Sequence, residues 1–187
     1  MIMWLPFSRK KTYLRARDGL LITVLFWLEL GIVGSLPFYL SNSIDLSFTD
    51  AVFESMSGLT TTGATILSGL DLLPKAILYY RQQLQWLGGI GIVVIAIAVM
   101  PMLGVGVVQL YRAGSTSNSK LTPRIQDTAK VLFVVYMCLT LTCLIAYWMA
   151  GMNLFDAISH SFSTVAIGGF STHDESIGFF DGTPAVM

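Results

Sequence analysis

The sequence predicts an all-α membrane protein built on an internal repeat. Three observations carry this. The 187 residues are 54% hydrophobic and only 12% charged, with a mean hydropathy of +0.69, whereas soluble domains carry about 25% charged residues. The apolar residues fall in blocks long enough to cross a bilayer. Two segments outside those blocks align with each other without a gap. This composition argues against soluble enzymes, disordered chains and nucleic-acid binders. The formal net charge is +0, so net charge names no partner, although the distribution of charge is informative.

A spanning helix needs about 20 apolar residues, and three blocks meet that need. The first, Gly19 to Leu40, is broken by Glu29 and ends near Pro37. It is too long for a secretory signal and lacks a small-residue cleavage site. The second runs uncharged from Gln82 to Tyr111, between Arg81 and Arg112. At about 1.5 Å per residue it measures about 45 Å against a hydrocarbon core of about 30 Å, so a kink or break is expected near Pro101. The third is Val131 to Ala150.

Basic residues orient these spans. Arg9, Lys10, Lys11, Arg15 and Arg17 precede the first; Arg112, Lys120, Arg124 and Lys130 lie between the second and third. The positive-inside rule puts the N-terminal segment 1–18 and the linker 112–130 in the cytoplasm. The remaining loops are acidic and external, with Asp45, Asp50, Glu54, Asp71, Asp156, Asp174, Glu175 and Asp181.

The repeat lies in the external segments. Ser47–Thr65 and Asn153–Ser171 match at a constant offset of 106 residues, with Asp50/Asp156, Ala51/Ala157, Ser55/Ser161, Ser57/Ser163 and Gly63/Gly169 identical. Each copy opens with an N-cap residue, Ser47 or Asn153, and an acid three places on. Helices are predicted at about 48–58 and 154–164, too short to span. Each is followed by a Gly-containing loop, 60–65 or 165–171. The first repeat therefore covers 19–111, and an incomplete second covers 131–187. Irregular backbone at membrane depth survives only when buried in protein or lining a water-filled path. Extended loops there can turn carbonyl oxygens toward a dehydrated monovalent cation, with the short helix aiming its negative end at the same place. The expected architecture is thus span, pore helix, filter loop and span, repeated around a central pore. No nucleophile–base pair, metal-ligand cluster or phosphate loop is visible, so no enzyme is expected.

The runs SFTDAVFESMSGLTTTGAT, QWLGGIGIVV and LFDAISHSFSTVAIGGFST resemble the Trk/Ktr/HKT cation transporter superfamily, most of all its TrkH-like potassium-uptake branch. The resemblance covers the chain from about Leu14 onward. It implies four repeats in one chain, each giving a filter loop. Here the matching filter residues are Thr61, Thr62 and Gly63, then Ile167, Gly168 and Gly169, and they would hold K⁺, the transported ion, with no other cofactor. It further implies a multi-pass protein of the bacterial inner membrane, a homodimer, and a cytoplasmic TrkA-like nucleotide-binding regulatory subunit. The family carries two spans before the first repeat and two repeats after the second, so a fragment is expected, unable to conduct alone. Two alternatives stay open: a Na⁺-permeable or Na⁺-coupled Ktr/HKT-type transporter, and a non-conducting membrane scaffold.

Other residues have plainer expectations. Glu29 is read as a carboxylate held by hydrogen bonds between helices rather than a cation ligand. Gly88, Gly89 and Gly91 are expected to serve close helix packing. His160 aligns with Glu54, and both are expected in structural polar contacts. His173 is read as a solvated loop residue at the outer mouth. Cys138 and Cys143 are expected as unbridged buried thiols, and the tryptophans partly as interface anchors.

Overall fold

The computed structural model describes residues 16–99 and 121–181. The expected kink near Pro101 and most of the orienting basic residues lie outside the described residues. Within them every regular element is helical: α1 (Ala16–Tyr39), α2 (Phe48–Leu59), α3 (Lys75–Val99), α4 (Leu121–Met149) and α5 (Leu154–Val165), with single 3₁₀ turns at Leu70–Leu72 and Ser176–Phe180.

Among the described residues two stretches, Arg17–Tyr39 in α1 and Thr128–Met149 in α4, are long and apolar enough to cross a membrane. Only 17% and 6% of their most apolar windows are buried within the chain. A soluble protein hides such residues; here Leu25, Phe26, Leu139 and Trp148 face outward, as they do on a helix meant for lipid or for further protein. Two helices exceed their apolar blocks. α3 begins at Lys75, so Arg81 lies inside it rather than marking its edge. α4 begins at Leu121, within the segment read as a polar linker. An established helix gains one hydrogen bond per added residue, and Pro123 is tolerated because it falls in the first turn.

The short helices start as their sequences dictate. The Ser47 side chain accepts from the Asp50 amide at 3.2 Å, and Asn153 Oδ1 accepts from the Asp156 amide at 3.0 Å. Each cap is worth about 1 kcal/mol. α1 and α2 pack as an antiparallel pair, and α4 and α5 pair likewise. α3 touches all four other helices. On one side Phe38, Ala51, Leu59, Ile77 and Leu84 form a buried cluster joining α1, α2 and α3. On the other, the Tyr136 hydroxyl donates to the Trp86 carbonyl at 3.0 Å, and Trp86 Nε1 donates to Thr140 at 3.0 Å. Trp86 also stacks on Phe162, so it is a packing residue at a three-helix junction rather than an interface anchor.

The ends of both short helices meet α3 near its middle. A Cβ on Gly88 would lie 1.9 Å from the Leu59 carbonyl oxygen, and one on Gly89 would lie 3.1 Å from Ala166 Cβ. Gly88 stands thirteen residues after Lys75, about 20 Å along the helix. α2 and α5 therefore enter alongside α3 and stop halfway: they are re-entrant. Other expectations change. Glu29 is exposed on α1 and makes no hydrogen bond between helices among the described residues. Cys138 is exposed and Cys143 half-buried, both free, because α4 keeps much of its circumference uncovered.

The Gly88 contact yields a prediction. Gly88→Ala in the full-length protein should cost about 1–3 kcal/mol through overpacking, read as a lower melting temperature in detergent. Gly91→Ala, whose nearest neighbour is the Trp27 ring at 3.5 Å, should leave that temperature unchanged.

Candidate functional site

Both re-entrant helices end in the same hydrogen-bonded turn. The Thr62 amide donates to the Ser57 carbonyl at 3.0 Å and the Thr61 amide to Gly58 at 3.0 Å; Gly168 donates to Ser163 at 2.8 Å and Ile167 to Thr164 at 3.0 Å. This is a Schellman turn, which requires a left-handed residue usually supplied by glycine. Here that residue is Thr61 (φ 55°) in one copy and Ile167 (φ 56°) in the other. A β-branched residue with positive φ is a conformational outlier that costs about 1–3 kcal/mol and persists where surrounding structure enforces it. Two residues on, Gly63 (φ 74°) and Gly169 (φ 91°) repeat the positive angle.

The two loops meet. A Cβ on Gly63 would lie 1.9 Å from the Gly168 carbonyl oxygen and 3.3 Å from Gly169 Cα. Gly63 is thus required both by its backbone angle and by the neighbouring loop. The six residues Thr61, Thr62, Gly63, Ile167, Gly168 and Gly169 form two facing turns, with the Ile167 side chain 88% exposed. The Gly169 amide is held by Ser163 Oγ at 2.9 Å, six residues back on α5.

From these turns each loop runs back outward along α3, and a hydroxyl just past the turn ties it to its own short helix. Thr65 Oγ1 donates to the Glu54 carboxylate at 2.9 Å, and the Ile66 amide also donates to it, at 3.2 Å. Ser171, 106 residues after Thr65, pairs its Oγ with His160 Nε2 at 3.1 Å. His160 Nδ1 lies 2.9 Å from the Asp156 carbonyl oxygen. A carbonyl only accepts, so Nδ1 carries a proton. Glu54 and His160 thus do the same work, one as a carboxylate and the other as an imidazole, as structural polar contacts. Both are buried.

The negative charge of Glu54 is met by Arg81 of α3, itself fully buried. Arg81 Nε donates to Glu54 Oε1 at 2.7 Å, Nη2 to Thr65 Oγ1 at 2.9 Å and Nη1 to the Ser171 carbonyl at 3.2 Å. Its guanidinium carbon lies 4.2 Å from the Phe170 ring centroid, within cation–π range. One turn along α3, the Gln85 side-chain oxygen Oε1 accepts from the Phe170 amide at 3.3 Å.

A second polar group joins the repeats at the outer end. His173 stands between two carboxylates: Nδ1 contacts Asp71, and Nε2 lies 3.2 Å from Asp156. Asp156 also accepts from Thr172 at 2.8 Å, and the Gly69 amide donates to Asp174 at 2.9 Å. With an acceptor on each ring nitrogen, both bonds form only in the imidazolium. Burial opposes that charge, but the bonds to Asp71 and Asp156 outweigh it and hold the His173 pKa above its ordinary value. The Asp71 carboxyl is held below its usual range, chiefly by the bond to His173. His173 stacks on Phe179 at 3.6 Å, and its side chain is only 16% exposed. It is therefore a structural tie between repeats rather than the solvated loop residue expected, because the second loop folds back over Asp71.

Sequence reasoning placed the two turns but missed what holds them. Arg81 read as the edge of an apolar block. Its signal was the run Arg81, Gln82 and Gln85, which shares one helical face next to the span. Thr65 and Ser171 could have been found as hydroxyl residues at the same repeat offset.

Re-entrant helices ending in paired strained turns, repeated beside a shared helix, define a membrane protein of the pore-loop kind. The chain belongs to the TrkH family, described as cation transport protein, which it matches over residues 2–187. It is 64% identical over 183 residues to the Trk system potassium uptake protein TrkH of Halomonas elongata, covering 96% of this chain and 38% of that protein. It is 60% identical to TrkH of Escherichia coli K12, with the same coverage. The crystal structure of the potassium transporter TrkH from Vibrio parahaemolyticus superposes with a TM-score of 0.81 at 57% identity, over 97% of this chain and 36% of that one. The chain spans less than two fifths of the length of these relatives.

The His173 tie predicts a pH dependence. Its stabilisation is complete below the ordinary histidine pKa of about 6.5 and is lost as pH rises through the raised folded value. The melting temperature of the full-length protein should fall on the alkaline side, and His173→Gln should flatten that limb. Asp71 acts at the other end: its contribution is present above the ordinary carboxylate pKa and is lost as pH falls through its lowered folded value.

Proposed function

We propose that this chain supplies two filter-bearing repeats of a potassium-uptake protein, in which backbone carbonyls of Thr61, Thr62, Gly63, Ile167, Gly168 and Gly169 replace part of the K⁺ hydration shell. The observation that carries this reading is the repeated turn. Two loops of different sequence adopt the same strained backbone at the same offset and face each other at Gly63 and Gly168. Strain kept twice at matching positions calls for a reason beyond chain reversal, and close-set carbonyls in a fixed frame are what dehydrating a cation needs. The names of the relatives, potassium uptake proteins, point the same way, toward transport rather than catalysis.

In this reading the protein sits in the bacterial inner membrane with its N-terminus cytoplasmic, as the basic residues indicate. Lipid, or the remainder of the full-length chain, covers the apolar faces of α1 and α4. A homodimer and a TrkA-like cytoplasmic nucleotide-binding subunit belong to the same proposal and are testable by co-purification with the full-length protein.

The test is Rb⁺ uptake by the full-length protein in cells lacking other K⁺ uptake. Unlabelled K⁺ should compete far better than Na⁺. Gly63→Ala, which sets a methyl against the Gly168 carbonyl, should cut uptake at least about tenfold, the equivalent of about 1.4 kcal/mol in the barrier; Gly169→Asp should abolish it. Expression should survive in both. Equal competition by Na⁺ would move the reading to a Na⁺-permeable transporter. Absence of any cation flux in the wild type would leave a non-conducting scaffold.

A further inference from the structure

α3 belongs to the first repeat, yet it holds the backbone of the second loop at two successive residues. Arg81 donates to the Ser171 carbonyl at 3.2 Å. Gln85 accepts from the Phe170 amide at 3.3 Å. The two side chains are four residues apart, on one face of the helix, and both are fully buried. A third position on that face, Gly89, lies against Ala166 at the inner end of the same loop. Toward its own repeat, α3 presents Arg81 to Glu54 and Thr65, Leu84 to Gly58, and Gly88 to the Leu59 carbonyl. One helix therefore holds the end of α2 and the outer part of the first loop on one side and the second loop on the other.

The second loop is fastened differently at its two ends. Its inner part is tied to its own short helix, with Gly168 bonded to the Ser163 carbonyl and Gly169 to the Ser163 hydroxyl. Its outer part is tied through the backbone to the neighbouring repeat. The distance between the loops is thus set by the side chains of α3 as much as by the loops themselves. A Cβ on Gly168 would lie 2.4 to 2.6 Å from the Gln85 amide, so Gln85 backs the loop at the residue that faces Gly63.

From this arrangement we propose that Arg81 and Gln85 are positioning residues that fix the second loop against the first and so set ion discrimination. The proposal rests on the filter reading above and deepens it. Neither side chain contacts the ion. Each holds the frame in which the carbonyls sit, and a site that discriminates cations by coordination depends on a frame held to a fraction of an ångström. Arg81 suits the task because its planar fork bonds three acceptors at once, which the point charge of lysine does not.

The test uses the full-length protein and separates amount from quality. Gln85→Met keeps the length of the side chain and removes the bond to Phe170. Arg81→Lys keeps the charge facing Glu54 and loses the fork. For each, the KM for Rb⁺, the maximal rate per unit of protein in the membrane, and the competition by Na⁺ are measured. Gln85→Met should raise KM about three- to tenfold, the range of one lost buried hydrogen bond, and should make Na⁺ a better competitor by a similar factor. Arg81→Lys should shift both in the same direction and further. If Arg81→Lys fails to reach the membrane, Gln85→Met decides alone. Wild-type KM and wild-type ion preference in Gln85→Met, with only the maximal rate reduced, would overturn the proposal and leave a packing role. A wild-type protein that moves no Rb⁺ would instead sink the transport reading.

Discussion

A guanidinium without access to water sits at the junction of the two loops, and the arrangement around it follows from satisfying that charge. Arg81 is fully buried, and so is its partner Glu54. Desolvating such a pair costs several kcal/mol per ion, recovered only when geometry is good and the remaining polar positions are filled. Here they are filled by the loops. The Thr65 hydroxyl and the Ile66 amide complete the carboxylate; Thr65, the Ser171 carbonyl and the Phe170 ring complete the guanidinium. Backbone that would otherwise need water at this depth finds its partners in a buried ion pair. Charge neutralisation and loop positioning are the same set of bonds.

That coupling explains how the loops keep an unfavourable conformation. A Schellman turn with threonine or isoleucine in its left-handed position would relax in an isolated peptide. Here the residues before it are locked in a capped helix wedged against α3, and the residues after it are pinned to Glu54, His160 and Arg81. The strain at Thr61 and Ile167 is held from both sides. The close approach that brings this about needs small residues: Gly88 and Gly89 admit the helix ends, and Gly63 admits the opposite loop.

The two repeats share geometry more than chemistry. Glu54 and His160 occupy matching positions and bind matching hydroxyls, yet one is charged and calls for an arginine, while the other is satisfied by a carbonyl and a serine. Both Asp50 and Asp156 accept from their N-cap side chains, but Asp156 is buried and also engaged by Thr172 and His173. Repeats freed from exact symmetry can bond to one another: His173, which ties the second loop to Asp71, stands where the first copy has Leu67.

Much of this was legible in the sequence. The apolar blocks, the capping residues Ser47 and Asn153, and the offset of 106 residues established helices, short re-entrant segments and paired loops, because periodicity, capping and repetition are local properties of a chain. The alignment marked the two loops and their shared glycines, and the resemblance to the TrkH-like branch named the six residues within them. What sequence alone left open depends on contacts between distant residues. Arg81 and Glu54 are 27 positions apart, and Arg81 and Ser171 are 90 apart; no local pattern says that they meet. His173 read as solvated because its neighbours are polar, and only the folding of the second loop over Asp71 withdrew it from water. The sequence by itself determined which segments are helices and which are loops. The tertiary structure decided which buried charge holds them, because burial and pairing are set by the helix that passes between the loops.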